Sequence, residues 1–473
     1  MSQRYFCIHG HFYQPPREDA ITGLIPNESG VAPYHNWNER IHGECYKPNA
    51  ELGNFEKISF NIGPTLFRWM ETYDPITYRA IIDQENHNYK KFGVGNAIAQ
   101  AYNHVILPLA RDRDKQTQII WGIEDFKHRF GHPPDGMWLP EAAVDGKTLE
   151  ILSEYGIKYT ILAPWQTDEN GLDTSRPYLV NLSNGKIITV FFYQMDISTR
   201  ISFDPGATSN ADRFLVEFLL PNYRNNKKEE LIIAASDGEL YGHHQQFRDK
   251  FLQRLLSGPV LDGSIQYTFP GKYLQEHPTK LTTKIKPGTS WSCHHGVSRW
   301  AEECGCTPGS SWKAPLRKAL NEIAESLDFL YESEASRIFS DPHEMRDEYI
   351  KVMLGDMTIE QFGNNFSDHK LDASELIWLT TLMDSQVARQ KMFTSCGWFF
   401  DELNRIEPRN NIGYAAQVTV FLELASHKEL ATEMADKLKG VKSTRFNING
   451  YEVFMEYYER GRKNISNDRR YNV

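Results

Sequence analysis

Two carboxylates stand where apolar, strand-like runs give way to loops: Glu141 in Gly136-Met-Trp-Leu-Pro-Glu141, and Asp237 in Ile232-Ile-Ala-Ala-Ser-Asp237-Gly-Glu239. The ends of strands are where barrel enzymes present catalytic groups. A carboxylate pair points to glycoside chemistry, in which one member attacks or stabilises a sugar C1 and the other, kept protonated, donates to the leaving oxygen. For an arbitrary pair, helix caps and surface charges are the commoner use. The N-terminus changes that balance. Tyr5-Phe-Cys-Ile8 reads as a buried strand running into His9-Gly-His11-Phe-Tyr-Gln14-Pro15-Pro16, whose two histidines, at i and i+2, point the same way. Gln14 adds a donor and an acceptor at the same mouth, and His104, in Ala101-Tyr-Asn-His104-Val-Ile-Leu-Pro108, lies beside another apolar run. A lone histidine usually packs. Three in comparable strand-edge settings favour a shared site.

These elements together resemble glycoside hydrolase family 57, whose members carry five short regions in fixed order. The first, a His-x-His-Gln-Pro type element, is matched by His9 to Pro15 with Phe12 and Tyr13 as extra residues before the glutamine. The stretch around His104 matches the second, Trp138-Leu-Pro-Glu141 the third and Asp237-Gly-Glu239 the fourth. Ser290-Trp-Ser-Cys-His-His-Gly-Val-Ser-Arg-Trp300 approximates the fifth, an aromatic element. Ser290-Trp-Ser-Cys, Glu303-Cys-Gly-Cys306 and Thr394-Ser-Cys-Gly-Trp-Phe-Phe-Asp401 look like the bacterial subgroup with a C-terminal domain of unknown function.

The resemblance implies an α/β fold: an incomplete (β/α)7 barrel over residues 1–280, followed by a mainly α-helical domain over 281–473 that contributes to the substrate cleft. It implies Glu141 as nucleophile and Asp237 as general acid/base of a retaining double displacement on an α-linked glucan, with the carboxyl groups about 5–5.5 Å apart. His9, His11 and His104 would hold sugar hydroxyls, with Gln14, Trp138, Trp291 and Trp300 completing the substrate site. Glu239 is expected to orient a neighbour. No cofactor is expected. Hydrolysis of the α-amylase type and 4-α-glucanotransfer use the same carboxylates and are not separated by these residues. The competing readings are a metal-dependent carbohydrate hydrolase or deacetylase on a related barrel, with His9 and His11 on the metal, and a non-catalytic carbohydrate-binding protein.

The chain of 473 residues exceeds what one core usually organises. Its 52 basic against 62 acidic residues, with no basic tract, exclude a nucleic-acid partner. No apolar stretch reaches the ~20 residues needed to span a bilayer and no signal peptide is evident, so no membrane partner and a cytoplasmic location are expected. The partner expected is an oligo- or polysaccharide.

Texture along the chain changes once. Up to about residue 275, short apolar runs alternate with helical stretches: 57–62, 119–123, 158–162, 187–192, 231–235 and 265–269 read as strands of a parallel β/α architecture. Beyond about 290 the pattern is helical. Leu316, Leu320, Ile323, Leu327, Leu330 and Tyr331 form one face of an amphipathic helix, and Asp372 with Glu375 forms a capping box for another. The last dozen residues read as loosely ordered. Two polar and aromatic segments, Pro33 to Tyr46 and Ser198 to Asp204, read as loops near the mouth. Cys293, His294, His295, Cys304 and Cys306 offer five soft ligands. Their spacing lacks the paired Cys-x2-Cys of many zinc sites, so reduced structural thiols are the first reading and a zinc site the second.

Overall fold

The computed structural model describes residues 3–224, 229–257 and 265–468. Among the described residues nine strands are formed: β1 (Arg4–Phe12), β2 (Ser59–Ile62), β3 (Ala99–Gln100), β4 (Met137–Trp138), β5 (Tyr159–Leu162), β6 (Tyr178–Asn181), β7 (Ile187–Phe192), β8 (Glu230–Asp237) and β9 (Gln266–Tyr267). They are organised as three sheets, ordered β2-β1-β8 with β9 on β1, β3-β4, and β5-β7-β6. All pairings are parallel except β6 with β7.

Single contacts join one sheet to the next. Phe60 bridges to Ala97, Gly136 bridges to Tyr159, and the Gln194 N–H donates to the Ile233 carbonyl at 2.8 Å. The parallel strands thus follow one another in the order β1, β2, β3, β4, β5, β7, β8. The continuous ladder of a closed barrel is absent among the described residues, and the architecture is an incomplete (β/α)7 barrel. Strands buried on both faces read as unbroken apolar runs, which is why β1, β5, β7 and β8 were legible from composition.

The run Ile119–Ile123, expected as a strand, lies inside a helix, Asp112–Phe130. Acidic residues fill that helix's first turn and Lys127, His128 and Arg129 its last, matching the helix dipole. A five-residue apolar run does not distinguish a strand from the buried middle of a helix. Both segments expected as loops contain helix: Trp37–Ile41 leads through a π-turn, His42–Tyr46, into Lys47–Glu51, and Met195–Phe203 is helical.

The chain forms two compact units that interleave in sequence. The first comprises 1–14, 27–102 and 126–292; the second comprises 15–26, 103–125 and 293–473. The last change of unit along the chain falls between Ser292 and Cys293. The segment after 281 runs along the first unit, bridging Thr282 to Leu179, Ile285 to Thr167 and Thr289 to Val144.

Helices dominate the second unit. Lys313–Ala335 carries the expected apolar face, with Leu316, Leu320, Ile323, Leu327, Leu330 and Tyr331 buried. Ala373–Lys391 starts at the capping box: Asp372 accepts from the N–H groups of Ser374 and Glu375, and Glu375 accepts from the Asp372 N–H. Ile406–Ser426, buried nearly all round, packs against Ala373–Lys391 and Gly450–Asn467. A buried ion network ties in the inserted segment 103–125: Asp114 meets Arg346 at 3.2 Å and Arg389 at 2.9 Å. Those guanidiniums hold the Asp114 carboxyl well below the usual range despite its burial. The tail read as loose is helical through Asn467, and residues 469–473 lie outside the described residues.

Candidate active site

The site is built on the carboxyl ends of the parallel strands, and strand register decides what meets what. In β1, His9 pairs with Ser59 of β2, and His11 pairs with Asn61. On its other side His11 pairs with Asp237 of β8. Gln100 of β3 pairs with Trp138 of β4. Alternation along β1 turns His9 and His11 to the same side, so one row holds Asn61, His11 and Asp237.

The imidazoles are held by a defined hydrogen-bond set. His9 Nδ1 lies 2.9 Å from Ser59 Oγ and its Nε2 lies 3.2 Å from Asn61 Oδ1. Asn61 Nδ2 reaches His11 Nδ1 at 2.9 Å and donates to Gln100 Oε1 at 2.6 Å. The self-consistent assignment has Ser59 donating to His9 Nδ1, His9 Nε2–H donating to Asn61, and Asn61 donating to His11 Nδ1, which places the His11 proton on Nε2. Burial pushes His9 down to about 3, helped by the neighbouring His11, and His11 down to about 4. Both are neutral at pH 7. Trp138, wholly buried, stacks on both rings at centroid distances of 4.9 and 5.2 Å. It supports both imidazoles from within the core.

Glu141 follows β4 through Leu139 and Pro140 in a left-handed conformation, φ 58°, and Ala142 repeats it at φ 48°. Two consecutive non-glycine residues in this region are costly, and such outliers concentrate at functional sites. The turn is pinned by the Trp291 N–H, which donates to the Glu141 carbonyl at 2.9 Å. The side chain is gripped from the same segment: Trp291 Nε1 and Ser292 Oγ donate to Oε2 at 3.1 and 2.6 Å. Donors converging on one oxygen favour a charged carboxylate and set its orientation.

Asp237 ends β8 with its side chain open to solvent. It nonetheless lies in a recess crowded by protein, and loss of solvation followed by the Glu141 charge pushes its carboxyl from 3.8 up to about 7. Glu239, buried, is pushed up to about 8, first by burial. Its Oε1 accepts from the Tyr13 N–H at 3.1 Å and from the Tyr46 hydroxyl at 2.7 Å, while Gln14 hydrogen-bonds Tyr46. Gln14 and Tyr46 thus act on Glu239, which is held rigidly beside Asp237. Gly238 between the two carboxylates is required by space: a Cβ there would lie 2.2 Å from the Phe12 ring.

Of the expected site residues, the first unit brings together Glu141, Asp237, His9, His11, Gln14, Trp138 and Trp291. His104 and Trp300 belong to the second unit. His104, left-handed at φ 53°, has Nδ1 2.6 Å from Ser395 Oγ. Trp300 is fully buried, and its carbonyl accepts from Arg317, an environment of core packing that offers no ring face to a sugar.

Sequence reasoning missed Ser292, Asn61, Gln100 and Trp165, and it placed Tyr46 near the mouth without its bond to Glu239. Asn61 and Gln100 carried a signal, since each is a polar residue at the end of an apolar strand. Trp165 follows β5 closely and is 38% exposed; it donates to the Ser290 carbonyl at 2.9 Å and, through Tyr193, continues the aromatic wall begun by Trp291.

Neutral histidines, an oriented carboxylate and a second carboxyl that titrates near neutral pH are gathered at the carboxyl ends of the strands of an incomplete barrel, a setting in which acid/base chemistry is possible. Residues 32–286, more than half the chain, match the model of Glycosyl hydrolase family 57, and the chain belongs to that family. Residues 309–464 match a Domain of unknown function (DUF3536).

Among curated proteins, Alpha-amylase 1 of Dictyoglomus thermophilum is 25% identical over 228 residues, covering 46% of this chain and 31% of that protein. The 1,4-alpha-glucan branching enzyme of Thermococcus kodakarensis is 23% identical over 287 residues, covering 45% of this chain and 42% of that protein. The chain thus spans less than half the length of these curated relatives. The fold is shared with the exo-type maltose-forming amylase of Pyrococcus sp. ST04, at TM-score 0.74 and 15% identity over 97% of this chain and 88% of that one. Among the described residues no helix is long and apolar enough to cross a membrane.

Proposed function

We propose that the protein is a retaining glycosidase or transglycosidase acting on α-linked glucans, with Glu141 as nucleophile and Asp237 as general acid/base. The observation that carries this reading is the opposite treatment of the two carboxyls: Glu141 Oε2 receives two donors, whereas Asp237 is pushed up to about 7 by loss of solvation in its recess and by the Glu141 charge. A carboxylate that stays charged beside one that holds its proton is the division of labour double displacement requires. In the first step Glu141 attacks the anomeric carbon and Asp237 passes its proton to the departing glycosidic oxygen. In the second, Asp237 takes a proton from water or a sugar hydroxyl, which displaces Glu141. His9 and His11, neutral, offer hydrogen bonds to sugar hydroxyls without adding positive charge. The α-glucan substrate is suggested by the relatives named as an amylase and a branching enzyme.

The alternative in which His9 and His11 together bind a catalytic metal is disfavoured because both ring nitrogens of His9 are already engaged, by Ser59 and Asn61. Anion rescue tests the roles. With an α-maltooligosyl substrate bearing an activated leaving group, azide should rescue Glu141→Gly and Asp237→Gly, giving glycosyl azides of opposite anomeric configuration. In the first variant azide replaces the nucleophile from the opposite face of the sugar; in the second it intercepts the covalent intermediate. Identical configurations from both variants overturn the assignment.

A further inference from the structure

Immediately after Ser292 the chain enters a loop from Cys293 to Thr307 whose only regular element among the described residues is a short 3-10 turn, Ser298–Trp300. Apart from the buried Trp300, these fifteen residues offer mostly polar side chains and backbone, and the polar side chains converge. The ligand atoms of Cys293, His295, Cys304 and Cys306 all lie within 4.8 Å of one another. Cys293 Sγ is 4.0 Å from Cys304 Sγ and 3.9 Å from Cys306 Sγ. His295 Nδ1 is 3.5 Å from Cys306 Sγ and 4.0 Å from Cys293 Sγ.

We propose that Cys293, His295, Cys304 and Cys306 form a structural Cys3His zinc site. With Zn–S about 2.3 Å and Zn–N about 2.0–2.1 Å, a tetrahedral ion separates sulfurs by about 3.8 Å and sulfur from nitrogen by about 3.6 Å. The observed distances fall close to both values. A disulfide needs about 2.03–2.05 Å between sulfurs, and no two of the three thiols approach that. Four ligands close the coordination sphere, which suits a structural rather than a catalytic ion.

The surroundings fit the charge such a centre carries. Three thiolates and one Zn2+ sum to a single negative charge, and a buried ammonium lies alongside. Lys313 is 0% exposed and donates to Thr307 Oγ1 at 2.9 Å and to the Arg299 carbonyl at 3.1 Å, and Thr307 Oγ1 lies 3.8 Å from Cys304 Sγ. A buried cation needs a compensating charge, and zinc-bound thiolates at Cys304 and Cys293 add to that of Asp401. Backbone N–H groups donate to the sulfurs, as around metal thiolates generally: those of Arg299 and His295 to Cys293, and that of His294 to Cys306. Sequence spacing alone favours structural thiols because Cys-x-His and Cys-x-Cys are not the common zinc pairs. The fold overcomes that by turning the chain at Gly296, φ 75°, so that two short-spaced pairs face each other.

The consequence concerns Glu141. Trp291 and Ser292, its two donors, directly precede the first ligand in the chain, so closing the loop on zinc fixes the end of the segment that carries them.

The test is metal analysis of the full, untagged chain, purified without chelators after growth with added zinc; its outcome does not depend on what the enzyme acts on. On the order of one zinc per chain is expected. Cys304→Ser and Cys306→Ser should lose it, and His295→Cys, which converts the site to four thiolates, should keep it. Growth on cobalt should give the thiolate-to-metal charge transfer and the visible bands of a tetrahedral ion. Substoichiometric zinc in the wild-type protein overturns the proposal, as does zinc retained by both serine variants. Iron in place of zinc, or a denatured thiol titration showing a disulfide among the six cysteines, would also overturn it.

Discussion

Removing the Glu141 charge should lower the titration of Asp237 only part of the way. The Asp237 carboxyl rises from 3.8 to about 7, with loss of solvation in its recess the larger cause and the Glu141 charge the second. If loss of solvation supplies more than half of that rise, Glu141→Gln should leave Asp237 titrating above about 5, well over an unperturbed aspartate. The direction follows from charge. A neighbouring anion disfavours a second anion, so its removal lets Asp237 ionise at lower pH, while desolvation persists because the glutamine fills the same space. The same group sets the alkaline limb of wild-type kcat/KM, since the first step needs Asp237 protonated: activity should be retained below about pH 7 and fall about tenfold per pH unit above it. Carbon-13 NMR of protein labelled at the aspartate carboxyl, with Asp237→Asn to identify the resonance, reads the titration directly. Glu239, pushed up to about 8 two residues away, interacts with Asp237, so the curves belong to the pair and should be repeated in Glu239→Gln. A wild-type Asp237 titrating near 4, or a Glu141→Gln protein in which it returns to 3.8, would refute the reasoning.

Ser292→Ala removes the 2.6 Å bond to Glu141 Oε2; a hydrogen bond to a charged group contributes about 1.5–3 kcal/mol, so kcat should fall roughly tenfold to a hundredfold with little change in Tm, as steady-state kinetics and calorimetry can check. Gly238→Ala drives a Cβ to within 2.2 Å of the Phe12 ring, and overpacking of this kind costs about 1–3 kcal/mol; both Tm and activity should drop. Trp291→Ala should weaken oligosaccharide binding with a modest loss of stability, whereas Trp300→Ala should cost about 3–5 kcal/mol by chemical denaturation because that ring is fully buried.

Much of the barrel was readable because strands buried on both faces leave unbroken apolar runs, and β1, β5, β7 and β8 are such strands. The helix Asp112–Phe130 was misread for the same reason. Its middle, Ile119 to Ile123, is buried like a strand, and the local pattern carries no period long enough to tell the two apart. The capping box at Asp372 was readable because it is local chemistry, needing only residues three apart. The interleaving of the two units was not, because it depends on which neighbours the segments 15–26, 103–125 and 281–292 find in space.

The site divides along the same line. Glu141, Asp237, His9 and His11 could be singled out because each breaks an apolar run at its end, a property of the local sequence. What those groups do is set by residues far away in the chain. Asn61 fixes the tautomers of both histidines because β1 and β2 pair in a register that puts it opposite His11, and a slip of one residue would turn it to the other face. Ser292 and Trp291 orient Glu141 across some 150 residues of chain. Loss of solvation, again a property of the assembled fold, raises Asp237 toward neutrality in its recess and keeps the buried histidines uncharged. Residue type at a strand end therefore nominates a catalytic group, while register and burial decide its protonation and hence its role. The same holds for Cys293, His295, Cys304 and Cys306: their spacing is not that of the common zinc pairs, yet the fold, turning at Gly296, gathers their ligand atoms within 4.8 Å of one another.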